Sequence, residues 1–187
     1  MADTPLSPED IADRNFVILD TETTGLKKLG RFIPEIVEIA IIDHDGIALL
    51  NTRFHPIEPI PYEATHIHGI KDSDCFNAPR WPEVAPKIAD IIQGRTVITY
   101  NSVYDRFMFH CTDEATGIRW NWKELGSWRC AMLWYSDIWG DWDEYNGNNR
   151  WVKLTDAVMQ QGLAISDAHS ALGDCLMTLS LINKLCK

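Results

Sequence analysis

A short apolar run that ends in two acidic residues constrains the fold of this chain more than any other feature. Residues 16–19 are continuously apolar, which is typical of a strand buried on both faces of a sheet. Asp20 and Glu22 follow, and the two-residue period of a strand places both carboxylates on one face. Hard cations such as Mg²⁺ and Mn²⁺ prefer oxygen ligands of this kind. A metal site at the strand end is therefore one interpretation, and a pair of solvated acids is the other.

The pattern of apolar residues predicts the remaining elements. Residues 36–42 and 47–54 are predicted to complete an antiparallel meander with the first strand, and residues 96–100 a short central strand. Helices are predicted over residues 81–92, 103–111, 131–138, 154–161 and 168–185. Loops are predicted over residues 30–34, 56–61 and 139–150. Strands first, then helices alternating with strands, indicate an α/β domain around a mixed sheet.

Length and composition narrow the class of protein. The 187 residues fit a single domain, predicted over residues 15–187 after an N-terminal tail over residues 1–14. The five cysteines are an odd number without a CxxC pair, so we expect neither a disulfide framework nor a structural zinc site. That usage fits a reducing compartment, and we expect a cytoplasmic protein without signal peptide or membrane anchor.

Net charge limits the kind of nucleic-acid contact that we expect. The formal charge of −10 argues against a broad surface that follows the phosphates of a long duplex. It does not exclude a nucleic-acid enzyme, because bound cations would offset clustered carboxylates locally. We therefore expect capture of a strand end at short range.

Three further residues could join the pair of acids. Asp105 lies where a helix follows a central strand, the end of an open α/β sheet at which ligands bind, although it could simply complement the helix dipole. Asp174 has small and apolar neighbours, which favours a ligand over a solvated acid. His169 would diverge from Asp174 by ~140° on one regular helix, so we place His169 at the helix entrance. Histidine can take a proton near neutral pH, but a surface or capping role is the alternative.

Residues near these acids are predicted to contact a substrate. Gly25 would let the backbone approach a ligand closely, and Leu26 is either an exposed wedge against a base or a core residue. Asn101 is interpreted as an N-cap with an orienting role. Thr23 and His68 complete the predicted substrate-binding set.

Three motifs, DTETTGL at residues 20–26, NSVYD at 101–105 and HSALGD at 169–174, occur in this order. With them the chain resembles the DEDDh family of 3′–5′ exonucleases, the DnaQ-like branch of the ribonuclease H-like fold. Segments 36–40 and 66–70 also resemble the family, and segments 128–132 and 171–175 resemble its exonuclease X members. The tyrosine of the DEDDy branch is replaced here by Ser170, which supports the histidine branch.

The resemblance implies a ribonuclease H-like five-stranded mixed sheet, in which a three-strand antiparallel meander is joined by parallel strands and flanked by helices. It implies two Mg²⁺ ions, with Mn²⁺ able to substitute, bound by Asp20, Glu22, Asp105 and Asp174. His169 would be the general base. DNA single strands or duplex 3′ ends would be hydrolysed to 5′-nucleoside monophosphates. RNA as the substrate, a proofreading subunit docked on a polymerase and a catalytically silent binding module are the alternatives.

Eight tryptophans and one glutamate within an apolar run need a separate interpretation. Most tryptophans are predicted to be core residues, whereas Trp139, Trp142 and Trp151 flank the loop at 139–150 and are candidates for base stacking or partner binding. Glu38 lies within an apolar run and is predicted to satisfy a local hydrogen bond rather than to bind metal.

Overall fold

A five-stranded mixed sheet lies at the centre of the protein. The computed structural model describes residues 4–26, 33–165 and 167–186. The strand order is β3-β2-β1-β4-β5, with an antiparallel β1–β2–β3 meander and with β4 and β5 parallel to β1. The strands are β1 (Phe16–Thr23), β2 (Ile36–Asp43), β3 (Ala48–Arg53), β4 (Thr96–Thr99) and β5 (Ser127–Cys130). The predicted mixed sheet and its meander are confirmed.

Helices cover both faces of the sheet. They are α1 (Glu9–Ala12), α2 (Tyr62–His68), α3 (Asp72–Cys75), α4 (Trp81–Ile92), α5 (Ser102–Thr116), α6 (Trp122–Leu125), α7 (Ala131–Trp139), α8 (Leu154–Gln160) and α9 (Ala171–Leu185). In the described part of the chain, no helix combines the length and apolar character needed to cross a membrane.

The alternating side chains of β1 separate two hydrophobic clusters. Val17 and Leu19 pack with residues of α4 and α5 on one face. Ile18 packs with residues of α7, α8 and α9 on the other face. Since both faces are covered, residues 16–19 of the strand are all apolar, as the sequence pattern indicated.

Several element boundaries differ from the predicted ones for local reasons. Helix α5 continues beyond residue 111 and ends where Gly117 adopts a positive φ of 71°. Helix α9 begins at Ala171 rather than 168, because Ser170 caps it by accepting a hydrogen bond from the Gly173 N–H at 3.1 Å. Strand β3 is shorter than predicted. Of the predicted loop at 30–34, positions 30–32 lie outside the described residues.

The sequence pattern did not predict the short helices α2, α3 and α6, and three further regions also have structure that it did not predict. Strand β5 is short and pairs with β4. The described part of the predicted tail packs on β5: the Leu6 N–H donates to the Cys130 carbonyl at 3.2 Å, and the Leu6 side chain is buried. The loop at 139–150 contains a two-stranded hairpin, β6 (Trp142–Asp143) and β7 (Asn148–Asn149).

Candidate active site

The end of β1 forms one wall of a crevice. Strand β4 pairs with β1 only from Phe16 to Ile18, whereas β2 continues to pair with it as far as Thr23. Beyond Ile18, one edge of β1 therefore has no neighbouring strand. Asp20 and Glu22 lie in this segment, and both side chains point to the sheet face that α9 covers.

Helix α9 adds a third carboxylate to this face. Oxygen atoms of Asp20, Glu22 and Asp174 lie within 4.8 Å of one another. The start of α9 is tied to the sheet because the Ala171 N–H donates to Glu38 Oε2 at 3.0 Å. Glu38 Oε1 accepts from Arg53 Nε at 3.1 Å, so the interpretation of Glu38 as a hydrogen-bonding residue is confirmed.

His169 lies just before α9, at the predicted helix entrance. Its backbone has a positive φ of 65°, and its N–H donates to Asp174 Oδ1 at 3.2 Å. The chain crosses close to α9 here, since a Cβ on Gly173 would be 2.2 Å from the Asp167 carbonyl oxygen. Only glycine fits that approach, and it lets the loop present the exposed His169 side chain beside the three acids.

Asp105 approaches the acids from the other face of the sheet. It lies in the first turn of α5, is 3% exposed, and its Oδ1 accepts from Thr21 Oγ1 at 2.9 Å. Thr21 points away from the face that carries Asp20 and Glu22. Asp105 is therefore a neighbour of the three-carboxylate cluster and not a member of it.

Burial raises the pKa of all four acids, and repulsion from neighbouring carboxylates adds to the shift in Asp20, Glu22 and Asp105. Burial raises the pKa of Asp20 well above its ordinary value, and the charges of Asp105 and Asp174 add to the shift. Burial and the Asp174 charge raise the pKa of Glu22 to about 8. Burial raises the pKa of Asp105 to about 7 against the opposing Thr21 hydrogen bond, and burial also raises the pKa of Asp174.

Acids that face one another in this way favour a bound cation. Without one, the carboxylates hold protons near neutral pH, because each charge disfavours the next. Oxygen donors at this spacing suit a hard divalent cation, which would replace those protons. The residues present therefore fit the metals that the sequence analysis expected.

The loop after β1 is held by hydrogen bonds among the predicted substrate-binding residues. Thr23 Oγ1 lies 2.6 Å from the Tyr104 hydroxyl and accepts from the Gly25 N–H at 3.2 Å. Gly25 has a φ of 116°, which favours glycine, and Leu26 is 65% exposed. The alternative of Leu26 as a core residue is therefore wrong.

Two predicted roles change in the structure. His68 accepts at Nδ1 from the Ile70 N–H at 3.0 Å and donates from Nε2 to the Thr23 carbonyl at 3.1 Å. Both ring nitrogens are thus occupied within the protein, so His68 positions Thr23 and has no nitrogen left to hydrogen-bond a substrate. Asn101 is the N-cap residue of α5, as predicted, but its side chain makes no capping hydrogen bond, and only its backbone carbonyl accepts, from the Asp105 N–H at 3.2 Å.

Tyr104 is a site residue that the sequence analysis missed. Burial raises the pKa of its hydroxyl to about 12, which keeps it neutral as a partner of Thr23. The available signal was its place in the motif at 101–105, directly before Asp105.

Comparison with known proteins gives this site its context. The family model RNase_T, described as Exonuclease, matches residues 17–182. The chain belongs to this exonuclease family. An uncharacterized exonuclease of Escherichia phage 186, CP81, is 37% identical over 177 residues, which cover 91% of this exonuclease and 88% of the phage protein. The epsilon subunit of DNA polymerase III from Escherichia coli K12 is 32% identical over 95 residues, 48% of this chain and 39% of the subunit.

Solved structures share the fold at low sequence identity. Exonuclease I of E. coli, in complex with a dT13 oligonucleotide, aligns with a TM-score of 0.71 and 18% identity over 91% of this exonuclease and 40% of that chain. Exonuclease X in complex with 5′ overhanging duplex DNA aligns with a TM-score of 0.61 and 20% identity over 91% of this chain and 92% of that one. The predicted ribonuclease H-like, DnaQ-like assignment is confirmed.

Exonucleases of this type use divalent metals, and the acidic cluster is present. The chain spans about two fifths of exonuclease I and of the polymerase subunit.

Proposed function

We propose that this exonuclease removes nucleotides from the 3′ ends of DNA, in single strands or at duplex ends, and releases 5′-nucleoside monophosphates. The observation that carries the proposal is the convergence of three carboxylates within 4.8 Å at the entrance of α9, directly beside His169. A cluster of this kind favours hydrolysis of a phosphodiester over simple binding, because raised pKa values and a nearby base mark reactive sites.

The four acids would hold two Mg²⁺ or Mn²⁺ ions. Asp20, Glu22 and Asp174 supply the converging oxygens, and Asp105 supports them from the opposite face. When bound, such cations stabilise the charge that develops on the attacking and leaving oxygens. Thr21 keeps the Asp105 carboxylate in place, and the Asp174 carboxylate is fixed by the His169 N–H.

His169 is proposed to take the proton from the attacking water. Its backbone is fixed to Asp174, while its side chain is exposed beside the acids, so the ring can reach a water at the cluster. Removing the proton during attack is the part of the reaction that a positioned histidine accelerates. The oxygen that leaves then carries the shortened strand, and the released nucleotide keeps its 5′-phosphate.

The 3′-terminal nucleotide is proposed to lie against the loop after β1. Leu26 is exposed there and can contact the face of a base, while Gly25 lets the backbone come close to the sugar and phosphate. Hydrogen bonds from Tyr104 and His68 keep Thr23 in a fixed position under this loop.

DNA as the substrate is supported by the structural neighbours. Exonuclease I was solved with a DNA oligonucleotide and exonuclease X with duplex DNA. A second candidate is a proofreading subunit of a polymerase, which the similarity to the epsilon subunits favours over 48% of the chain. Co-purification with a polymerase would support that second role.

Digestion of end-labelled oligomers tests the proposal. Linear DNA should release mononucleotides from its 3′ end in the presence of Mg²⁺, faster than RNA of the same sequence. A closed single-stranded circle and a strand blocked at its 3′ end should survive, and the Asp20→Asn variant is the control for contaminating nucleases. Cleavage of circles at the rate of linear strands would show an endonuclease and overturn the proposal, and faster digestion of RNA would reassign the substrate.

A further inference from the structure

Two adjoining grooves lie on the outer side of α5, away from the acidic cluster. Their volumes are about 480 and 460 Å³. His110 and Trp120 line both grooves, so the two form one continuous surface, here called the α5 groove. Neither groove contains one of the four acids or His169.

Cationic side chains line the α5 groove in a protein that is acidic as a whole. Arg119 lines the first part, and Arg106 and Lys123 line the second, whereas the net charge of the chain is −10. Glu114 and Asp113 are the acids in the lining. Three cationic side chains therefore face two acids in the lining, a small local excess of positive charge, although Arg106 Nε also donates to the Ser102 carbonyl at 3.1 Å.

Trp120 presents a ring whose position is fixed. Its backbone N–H donates to Asp113 Oδ2 at 3.0 Å, and its ring lies over Trp122 with centroids 5.5 Å apart and planes at 32°. Trp122 is buried, and its Nε1 donates to Asp113 Oδ2 at 2.8 Å. Trp120 nevertheless remains 38% exposed. Packing alone would not leave a supported aromatic ring open to solvent, whereas stacking with a base uses such a ring.

The α5 groove leads away from the proposed active site along a single helix. Asp105 and Arg106 are adjacent, His110 follows one turn later, and the helix ends at Gly117 before the loop that carries Trp120. The rise of an α-helix gives about 18 Å from Asp105 to Gly117, which is room for a few nucleotides of a single strand.

We propose that the α5 groove binds the single-stranded DNA that leads to the 3′ end held at the acidic cluster, with Trp120 stacking on a base and Arg106, Arg119 and Lys123 near the phosphates. This inference rests on the proposed function, because it assumes that a DNA 3′ end lies at the cluster. Charge complementarity selects the occupant: an anionic strand fits a cationic groove with an exposed aromatic ring. Trp142 and Trp151 do not offer this, since they lie near Asp141 and Asp143, and the one cation in those linings, Arg150, already pairs with both acids.

Turnover of a thymidylate dodecamer relative to a dinucleotide tests the groove. The dinucleotide reaches only the acidic cluster, so the ratio of the two kcat/KM values reports the groove. Trp120→Ala should lower this ratio by about 5- to 100-fold, the range expected when one base loses a stacking partner. Trp120→Phe should recover most of the ratio, because it keeps an aromatic face. Lys123→Ala should reduce the slope of log affinity against log salt by about 1.

Matched controls and a binding measurement make the result decisive. Trp142→Ala and Lys153→Ala change an exposed tryptophan and an exposed lysine elsewhere and should leave the ratio at the wild-type value. Binding of the dodecamer in EDTA, followed by anisotropy, reports the groove without catalysis. Loss of DNA binding in Trp120→Ala supports the groove even if DNA proves not to be the substrate. If DNA is digested but Trp120→Ala leaves both the ratio and the affinity within twofold of wild type, the groove proposal is wrong and the proposed function stands.

Discussion

Asp113 and Asp20 are both acidic residues enclosed by the same fold, but their surroundings are opposite. Asp113 is 3% exposed and accepts three hydrogen bonds, from Trp81 Nε1 at 2.7 Å, from Trp122 Nε1 at 2.8 Å and from the Trp120 N–H at 3.0 Å. Asp20 faces other carboxylates, and their charges raise its pKa. The Asp113 carboxylate is satisfied by N–H donors, whereas the Asp20 carboxylate is surrounded mainly by other acids.

The difference separates an acid that stabilises the fold from acids that are proposed to take part in catalysis. A buried carboxylate with several N–H donors stabilises the segments that supply those donors, here the start of α4 and the loop between α5 and α6. Carboxylates that repel one another destabilise the metal-free fold, and they persist where a cation is to be bound. The two sites should therefore respond in opposite ways to the same substitution.

The largest expected effect is the loss of activity when the repelling acids are neutralised. Asp20→Asn or Asp174→Asn should lower the rate of DNA hydrolysis by more than about 10³-fold, the scale seen when a member of a catalytic unit is removed. The metal-free variants should melt no lower than the wild type, because one source of repulsion is gone. Nuclease assays in Mg²⁺ and melting curves in EDTA measure the two effects. Near wild-type activity in either variant would remove the basis of the proposed mechanism.

Removing the base should affect the rate while leaving the acidic cluster intact. His169→Ala should slow hydrolysis by about 10² to 10⁴-fold. Its backbone N–H still donates to Asp174, and all four carboxylates remain, so Mn²⁺ binding should persist. Single-turnover rates across a pH series at saturating metal, with calorimetry for Mn²⁺, test both parts. An unchanged rate and pH profile would mean that another group activates the water.

The same neutralisation at Asp113 should weaken the fold instead of the chemistry. Asp113→Asn replaces one acceptor oxygen by an N–H₂ group that faces indole N–H donors, and should destabilise the protein by about 2–4 kcal/mol. The melting temperature should fall by several degrees, and dinucleotide turnover should stay within a few-fold of wild type at temperatures where the variant is folded. If Asp113→Asn and the wild type have the same melting temperature, the proposed difference between the two acidic sites is wrong.

The smallest expected effect is a dependence of metal-free stability on pH. The folded-state pKa values of Glu22, about 8, and Asp105, about 7, lie above their ordinary values, so protonated carboxyls stabilise the fold at low pH. That stability is fully present below the ordinary carboxyl pKa values of 3.8 and 4.5 and is lost progressively as pH rises from there to about 7 to 8, so the melting temperature in EDTA should fall over this window. Mg²⁺ should raise the melting temperature more at pH 8 than at pH 6, because cations compete with protons.

Variants of the two acids provide the control for this dependence. Asp113→Asn should keep the pH slope of the wild type, since Asp113 is remote from the repelling cluster. Asp174→Asn should flatten the slope, because the Asp174 charge, which helps to raise the pKa values of Glu22 and Asp105, is then absent. A wild-type melting temperature that is independent of pH from 5 to 8.5 in EDTA would show that the acids do not repel as the geometry indicates.

The fold and the acidic residues were accessible from the sequence where the signal is local. A buried strand is apolar throughout, and the period of a strand places Asp20 and Glu22 on one face, so both were predicted correctly. The turn angle of a helix likewise placed His169 outside α9 and Asp174 inside it. By contrast, β5 exists because it pairs with β4, and its four residues carry no strong pattern of their own.

The sequence by itself determined which residues are proposed to carry the chemistry, and the tertiary structure decided what each one faces. The motif at 101–105 identified Asp105, but only packing shows that it bonds to Thr21 and reaches the cluster from the other side of the sheet. Trp139, Trp142 and Trp151 were the candidates for base stacking or partner binding, yet the surrounding charges favour Trp120, which the sequence assigned to the core. Asp113 and Asp20 are the same residue type, one in helix α5 and the other in strand β1. Their surroundings differ because their neighbours are distant in sequence but close in space, and both burial and electrostatic repulsion depend on distance in space.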